Sequence, residues 1–150
     1  MFKKILFPTD FSDVSRKALE YIKQLKGAGA QEAMVLHVID EKELAVLSRV
    51  PDHYSQIIAH IEKDIAKVMA AIEAELTAEG FRVQLIVKTG RPLTEILTTA
   101  ADEKVSIIIL GSHGRSNIGE MLLGSVSENV IRHAGVPVLV ISREIQEKIE

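Results

Sequence analysis

The chain has no cysteine and no tryptophan among its 150 residues. The first absence removes disulfides, thiolate nucleophiles and Cys-based metal centres. The second, with aromatics at only 4%, leaves no stacking platform for single-stranded nucleic acid. Basic residues are not in excess: 18 Lys and Arg stand against 21 Asp and Glu, for a net charge of −3. No positive field is present to gather nucleic acid or an anionic membrane. No apolar run approaches the length of a membrane span. The opening "MFKKILFPTDFS" reaches Pro8 and Asp10 before a signal-type apolar region could form. The expectation is a single cytoplasmic domain over residues 1–150.

What is present is a regular alternation of strand-like and helix-like segments. "KKILFPTD" is a short buried strand, and Ser12 caps a helix through about residue 26 with an apolar stripe of Ala18, Leu19, Ile22 and Leu25. "AMVLHVID", residues 33–40, is a second strand, and residues 41–51 make an irregular excursion or a frayed helix. A long helix over residues 54–79 follows, with Ile58, Ile61, Ile65, Val68, Ile72 and Leu76 as its stripe and Gly80 as its stop. "FRVQLIVK" alternates, Phe81, Val83, Leu85 and Val87 against Arg82, Gln84 and Lys88, as an edge strand with one wet face does. Pro92 opens a helix to about residue 103, and another helix covers about residues 126–133. "VSIIIL" and "VPVLVI" are apolar throughout, the mark of parallel strands covered on both faces. The pattern predicts an α/β fold: an open five-stranded parallel sheet, order 3-2-1-4-5, with helices on both faces. That order puts the topological switch point between strands 1 and 4, so "PTD" and "GSHGR" would meet at one crevice.

The second of those loops carries the densest chemistry. Gly111, Gly114 and Gly124-Ser125 are spaced G-x2-G-x9-G-S between a buried strand and a helix. Glycine amides, the free N–H groups of the next helix and the hydroxyls of Ser125 and Ser127 could hold a polyphosphate, with Arg115 adding charge. The spacing is neither a Walker A loop nor the dinucleotide fingerprint. On spacing alone, a tight turn with a helix cap explains it equally well.

The stretch resembles the nucleotide loop of the universal stress protein family, whose ATP-binding branch carries G-x2-G-x9-G-[ST] after the fourth strand. "KKILFPTDFS", "VLHVID", "GRPLTEIL" and "GSVSENVIRHAGVPVLVI" are similar to further segments of that family, over about residues 2–143. The resemblance implies an adenine nucleotide alpha hydrolase-like fold and ATP as ligand. By position it implies that Pro8, Thr9 and Asp10 line the nucleotide cleft, with Asp10 near the ribose and the phosphate–metal region. Val38 would offer its backbone to the adenine edge. Gly111, Ser112, His113, Gly114, Arg115, Ser116 and Asn117 would wrap ribose and phosphates, and Gly124, Ser125, Val126 and Ser127 would bind the phosphate chain. Arg115 stands where some relatives have Lys, which keeps the charge. A Mg²⁺ or Mn²⁺ ion would be held mainly by phosphate oxygens, with Asp10 as a metal contact directly or through water.

Other candidates weigh less. A triad of Ser112, His113 and Asp10 lacks the G-x-S-x-G elbow and sets Ser beside His in sequence. His113 suits anchoring of the loop better than general-base work. His53 and His60 lie two helical turns apart, about 10 Å along the axis, too far to chelate one ion alone. His37 suits a satisfied core or cleft position. Arg132 and His133 suit the negative end of a helix dipole, and the tail "SREIQEKIE" suits a solvated end. The last strand would be an edge without protective charge, and the family often dimerises through it, so a homodimer across residues 137–141 is expected. No clear water-activating carboxylate accompanies Asp10, so the expected role is a nucleotide-dependent stress-response regulator rather than an efficient enzyme. The alternatives are a slow or partner-stimulated ATPase, with Asp10 and the metal orienting water, and a nucleotide-free dimeric interaction module.

Overall fold

The computed structural model describes residues 1–112 and 123–142. Its strands are β1 (Lys4–Pro8), β2 (Glu32–Asp40), β3 (Arg82–Gly90), β4 (Ile107–Gly111) and β5 (Val138–Ile141). Its α-helices are α1 (Asp13–Leu25), α2 (Glu41–Leu47), α3 (Tyr54–Ala78), α4 (Pro92–Asp102) and α5 (Ser125–His133). The five strands form one parallel sheet in the order β3-β2-β1-β4-β5, as the apolar patterning predicts. Among the described residues, no helix is long and apolar enough to cross a membrane.

The central strands are apolar throughout because successive side chains enter two different cores. Ile5, Phe7, Val35, Ile107 and Ile109 face Ala18, Leu19 and Ile22 of α1 and Ile65, Met69, Ile72 and Leu76 of α3. Leu6, Met34, Leu36, Ile108 and Leu110 face Ile96 and Ala100 of α4 and Val130 of α5. Register fixes this division: Leu6 pairs with Met34 on one side and Ile108 on the other. A one-residue slip would exchange the two cores.

One local alternative is resolved and two expectations change. Residues 41–47 form a helix, α2, capped by the Asp40 carboxylate, which accepts from Lys42 N at 2.9 Å. In α3 the buried series runs 65-69-72-76, so Met69 takes the core place expected for Val68, which is 38% exposed. In β3 neither face is simply wet: Val83 and Leu85 pack on the first core and Ile86 on the second, while Lys88 Nζ donates to Thr99 Oγ1 on α4. Val87, on the expected dry face, is exposed because the first core ends before it. The stop at Gly80 holds, with φ of +92° and Lys26 Nζ donating to its carbonyl.

Away from the sheet ends, α1 is tied to α3 by ion pairs. Glu75 Oε1 accepts from Arg16 at 2.6 Å, and Oε2 lies 3.3 Å from Lys23 Nζ. Burial pushes the Glu75 carboxyl up, but hydrogen bonds from Arg16 and Lys23 outweigh it and hold the group below its usual range.

Candidate nucleotide site

β1 and β4 are neighbours, yet the chain leaves them in opposite directions, toward β2 and toward β5. At that divergence the N-termini of α1 and α5 approach the carboxyl ends of the strands, and a cleft of about 950 Å³ opens. This is where open α/β sheets place ligands, and the volume is ample for one of small-molecule size.

One wall is the turn from Pro8 to Ser12. Thr9 N donates to Leu36 O at 2.8 Å, continuing the β1–β2 ladder past the end of β1. Thr9 Oγ1 accepts from Phe11 N at 3.1 Å and lies 2.5 Å from Ser15 Oγ. Asp10 Oδ1 accepts from Ser12 N at 3.0 Å, and Ser12 Oγ in turn accepts from Ser15 N at 3.2 Å, capping α1. Asp10 therefore takes part in the turn and also lines the cleft. Phe11 has φ of +65°, a conformation that costs an L-residue about 1 kcal/mol or more. Its ring stacks on His37, with centroids 4.3 Å apart and planes 15° from parallel. His37 is buried, and its Nδ1 lies 2.8 Å from Thr9 O. A carbonyl only accepts, so Nδ1 carries the proton.

The opposite wall is built on Gly111 and α5. A Cβ at Gly111 would lie 2.9 Å from Val14 Cγ1 and 3.2 Å from Ser15 N, so only glycine lets β4 end this close to α1. Gly124 N donates to Ser112 O at 2.7 Å, joining the two ends of residues 113–122 at their base. Gly124 is the N-cap of α5 and brings no side chain to it. The Ser127 hydroxyl, expected to face a phosphate, donates instead to Gly111 O at 2.8 Å. What Ser127 offers an anion is its backbone N–H, alongside those of Ser125 and Val126 in the same first turn.

Of the residues singled out in the sequence, Pro8, Thr9, Asp10, Val38, Gly111, Gly124, Ser125, Val126 and Ser127 line this cleft. Ser112 lies behind the wall, buried, with its N–H on Ile141 O. His113, Gly114, Arg115, Ser116 and Asn117 fall outside the described residues. His60 pairs with Asp64 in the open, Nε2 to Oδ2 at 3.3 Å. Sequence reasoning missed Phe11, Ser15, Ile61 and Ile65 as cleft residues. The last two carried only a helix-stripe signal, which does not distinguish core from cleft wall.

The lining combines carboxylates with a helix terminus. Asp10, Asp40, Glu43 and Asp64 contribute carboxylates, and no lysine or arginine among the described residues joins them. The attraction for an anion from the described residues comes from the N-terminus of α5. Among the described residues there is no group of three or more His, Asp or Glu side chains that could hold a metal ion. A divalent ion would thus need most of its ligands from something bound.

Comparison with known proteins agrees with the fold. Universal stress protein MJ0577 of Methanocaldococcus jannaschii is 41% identical over 96% of this chain and 97% of its own length. Its solved structure superposes with a TM-score of 0.87 over 96% of this chain and 98% of that one, at 44% identity. Universal stress protein YxiE of Bacillus subtilis is 33% identical over 94% of this chain and 99% of its own length. A universal stress protein solved in complex with cAMP shares the fold at TM-score 0.67 and 21% identity, covering 94% of this chain and 97% of that one. The profile of the universal stress protein family matches residues 1–142. This chain belongs to the universal stress protein family.

Proposed function

We propose that the protein binds ATP in the cleft between the Pro8–Ser12 turn and the N-terminus of α5, and acts as a nucleotide-dependent regulator. The observation that carries this reading is the first turn of α5: Gly124 to Ser127 line the cleft, and among the described residues no side chain of the N-cap position caps the helix. An anionic ligand would satisfy N–H groups of that first turn, which have no partner within the helix. Gly124, Ser125, Val126 and Ser127 would hold the phosphate chain, with Gly111 to Asn117 around ribose and phosphates. Val38, at the β2 end of the cleft, would meet the adenine through its backbone. The occurrence of a cAMP complex on this fold supports an adenine nucleotide here. A Mg²⁺ or Mn²⁺ ion would ride on the phosphate oxygens, with Asp10 as its one protein contact. Asp10 already commits an oxygen to Ser12 N, which favours holding over general-base chemistry and binding over rapid hydrolysis.

The test is a thermal-shift titration with ATP, GTP and AMP, paired with chromatography of nucleotide released from the denatured protein. ATP should stabilise most, by about 2.7 kcal/mol at one hundred times its Kd, and the released nucleotide should be ATP. Equal shifts from all three would sink the reading, and released ADP would favour a hydrolase. We propose further that β5, an edge strand of apolar residues, pairs with that of a second copy across residues 137–141. Light scattering at micromolar concentration should then give twice the chain mass.

A further inference from the structure

His37 belongs to neither half of the phosphate-facing machinery. It lies on β2, one strand away from the turn that carries Asp10. Its side chain nevertheless touches that turn on both sides of Asp10: Nδ1–H donates to Thr9 O, and the ring stacks on Phe11. The bonds from Phe11 N to Thr9 Oγ1 and from Ser12 N to Asp10 Oδ1 stay within the turn. Hydrogen bonds that tie the turn to β2 include Thr9 N to Leu36 O and His37 Nδ1 to Thr9 O. The first is backbone to backbone and survives most substitutions. The second depends on one side-chain atom.

Phe11 makes the dependence sharper. A bulky residue keeps a left-handed conformation only where its surroundings hold it there. Here the surroundings include a nearly parallel imidazole ring 4.3 Å away. Releasing His37 frees Phe11 to relax toward negative φ, which would rotate the adjoining Asp10 peptide and its carboxylate out of the cleft wall.

We propose that His37 is a positioning residue of the cleft, holding the Asp10 turn in its ligand-competent form through Nδ1 and the ring face. The affinity part of this proposal rests on the nucleotide reading above; the part that concerns the turn does not. Asparagine places an amide nitrogen near the position of Nδ1, whereas glutamine carries it one bond farther, near Nε2. His37→Asn therefore keeps the bond to Thr9 O, and His37→Gln gives it up.

The experiment compares the full chain with H37N and H37Q in two ways. Amide hydrogen exchange of Phe11 and Ser12 is followed by NMR without nucleotide, and ATP affinity is measured by calorimetry. H37Q should lose protection at both amides and bind ATP about tenfold more weakly, the worth of one hydrogen bond. H37N, which keeps the bond and loses the stack, should fall between the wild type and H37Q in exchange and affinity. Wild-type protection in H37Q, or equal impairment of H37N and H37Q, would overturn the proposal. Should the wild type bind no nucleotide, the nucleotide reading fails, and exchange alone decides on His37. Should H37Q not fold, Phe11→Leu takes its place, because it removes the stack and leaves the His37 bond. Unchanged exchange at Ser12 in that variant would overturn the proposal.

Discussion

Two helices begin at the mouth of the same cleft, and the chain treats their first turns in opposite ways. α1 is closed by its own side chains: Ser12 Oγ takes the Ser15 amide, Asp10 takes the Ser12 amide, and Asp13 adds a carboxylate to the first turn. α5 starts at a glycine, and its nearest buried hydroxyl, Ser127, turns away to Gly111 O. Both are strand–loop–helix junctions with the same dipole direction. The first is capped by the side chain of its N-cap residue; the second carries Glu128 in its first turn but receives no side-chain hydrogen bond from its N-cap residue. A helix N-terminus alone therefore says little about ligand binding. What distinguishes the two is the N-cap residue, a serine that accepts from the helix in α1 and a glycine that cannot in α5.

The largest effect on this contrast should come from bringing the two junctions into collision. Gly111→Ala sets a methyl against Val14 and the Ser15 amide, and should destabilise the fold by about 2 to 3 kcal/mol in urea unfolding. Next is to give α5 the arrangement of α1. Gly124→Asp supplies a capping carboxylate, so the unfolding midpoint without ligand should hardly move, while ATP binding weakens by about 1 to 2 kcal/mol. An intact ATP shift in that variant would refute the role given to α5. Ser12→Ala removes the cap of α1 and should cost about 1 kcal/mol of stability with the ATP shift retained, since that end is not the anion site.

The smallest effect concerns the flank of α1, where Glu75 meets Arg16 and Lys23. Those pairs are partly solvated, so Glu75→Gln should lower stability near neutral pH by less than about 1 kcal/mol. The folded carboxyl titrates below its ordinary range, held there against burial by Arg16 and Lys23. Its contribution is accordingly present above that range and lost as pH falls through the folded pKa. Wild type and variant should converge in acid unfolding curves.

Strand order was legible in the sequence because burial on both faces leaves a physical trace. "IIIL" and "VLHV" cannot be half-wet strands, whereas "FRVQLIVK" can. The trace fails where two environments ask for the same residue types. Ile61 and Ile65 satisfy a helix stripe whether they meet a core or a cleft wall. Met69 displaces Val68 from the core because exact helix phase is set by the sheet underneath. The His37–Phe11 stack has no local signal at all, since one partner lies on β2 and the other in the turn after β1, and they meet only through the β1–β2 register. The Ser127 hydroxyl shows the same limit at short range: its position beside a helix start is plain, but its bond to Gly111 O depends on where β4 ends. The glycine spacing fits a bland turn as well as a phosphate cradle, and likeness across the whole chain shows the family rather than the ligand of the loop.

The parallel sheet also orders the cleft in time. Lys4 N bonds Ser106 Oγ across 102 positions, and the two walls draw on residues 8–15 and 124–127. On a ribosome adding about 5 to 20 residues per second, β1, β2 and the carboxylate-lined wall exist seconds before α5 leaves the tunnel. The end of the cleft that attracts negative charge is the last to be made. Any stabilisation that depends on a bound anion thus reaches only chains extended past α5, and products truncated before it are left without it.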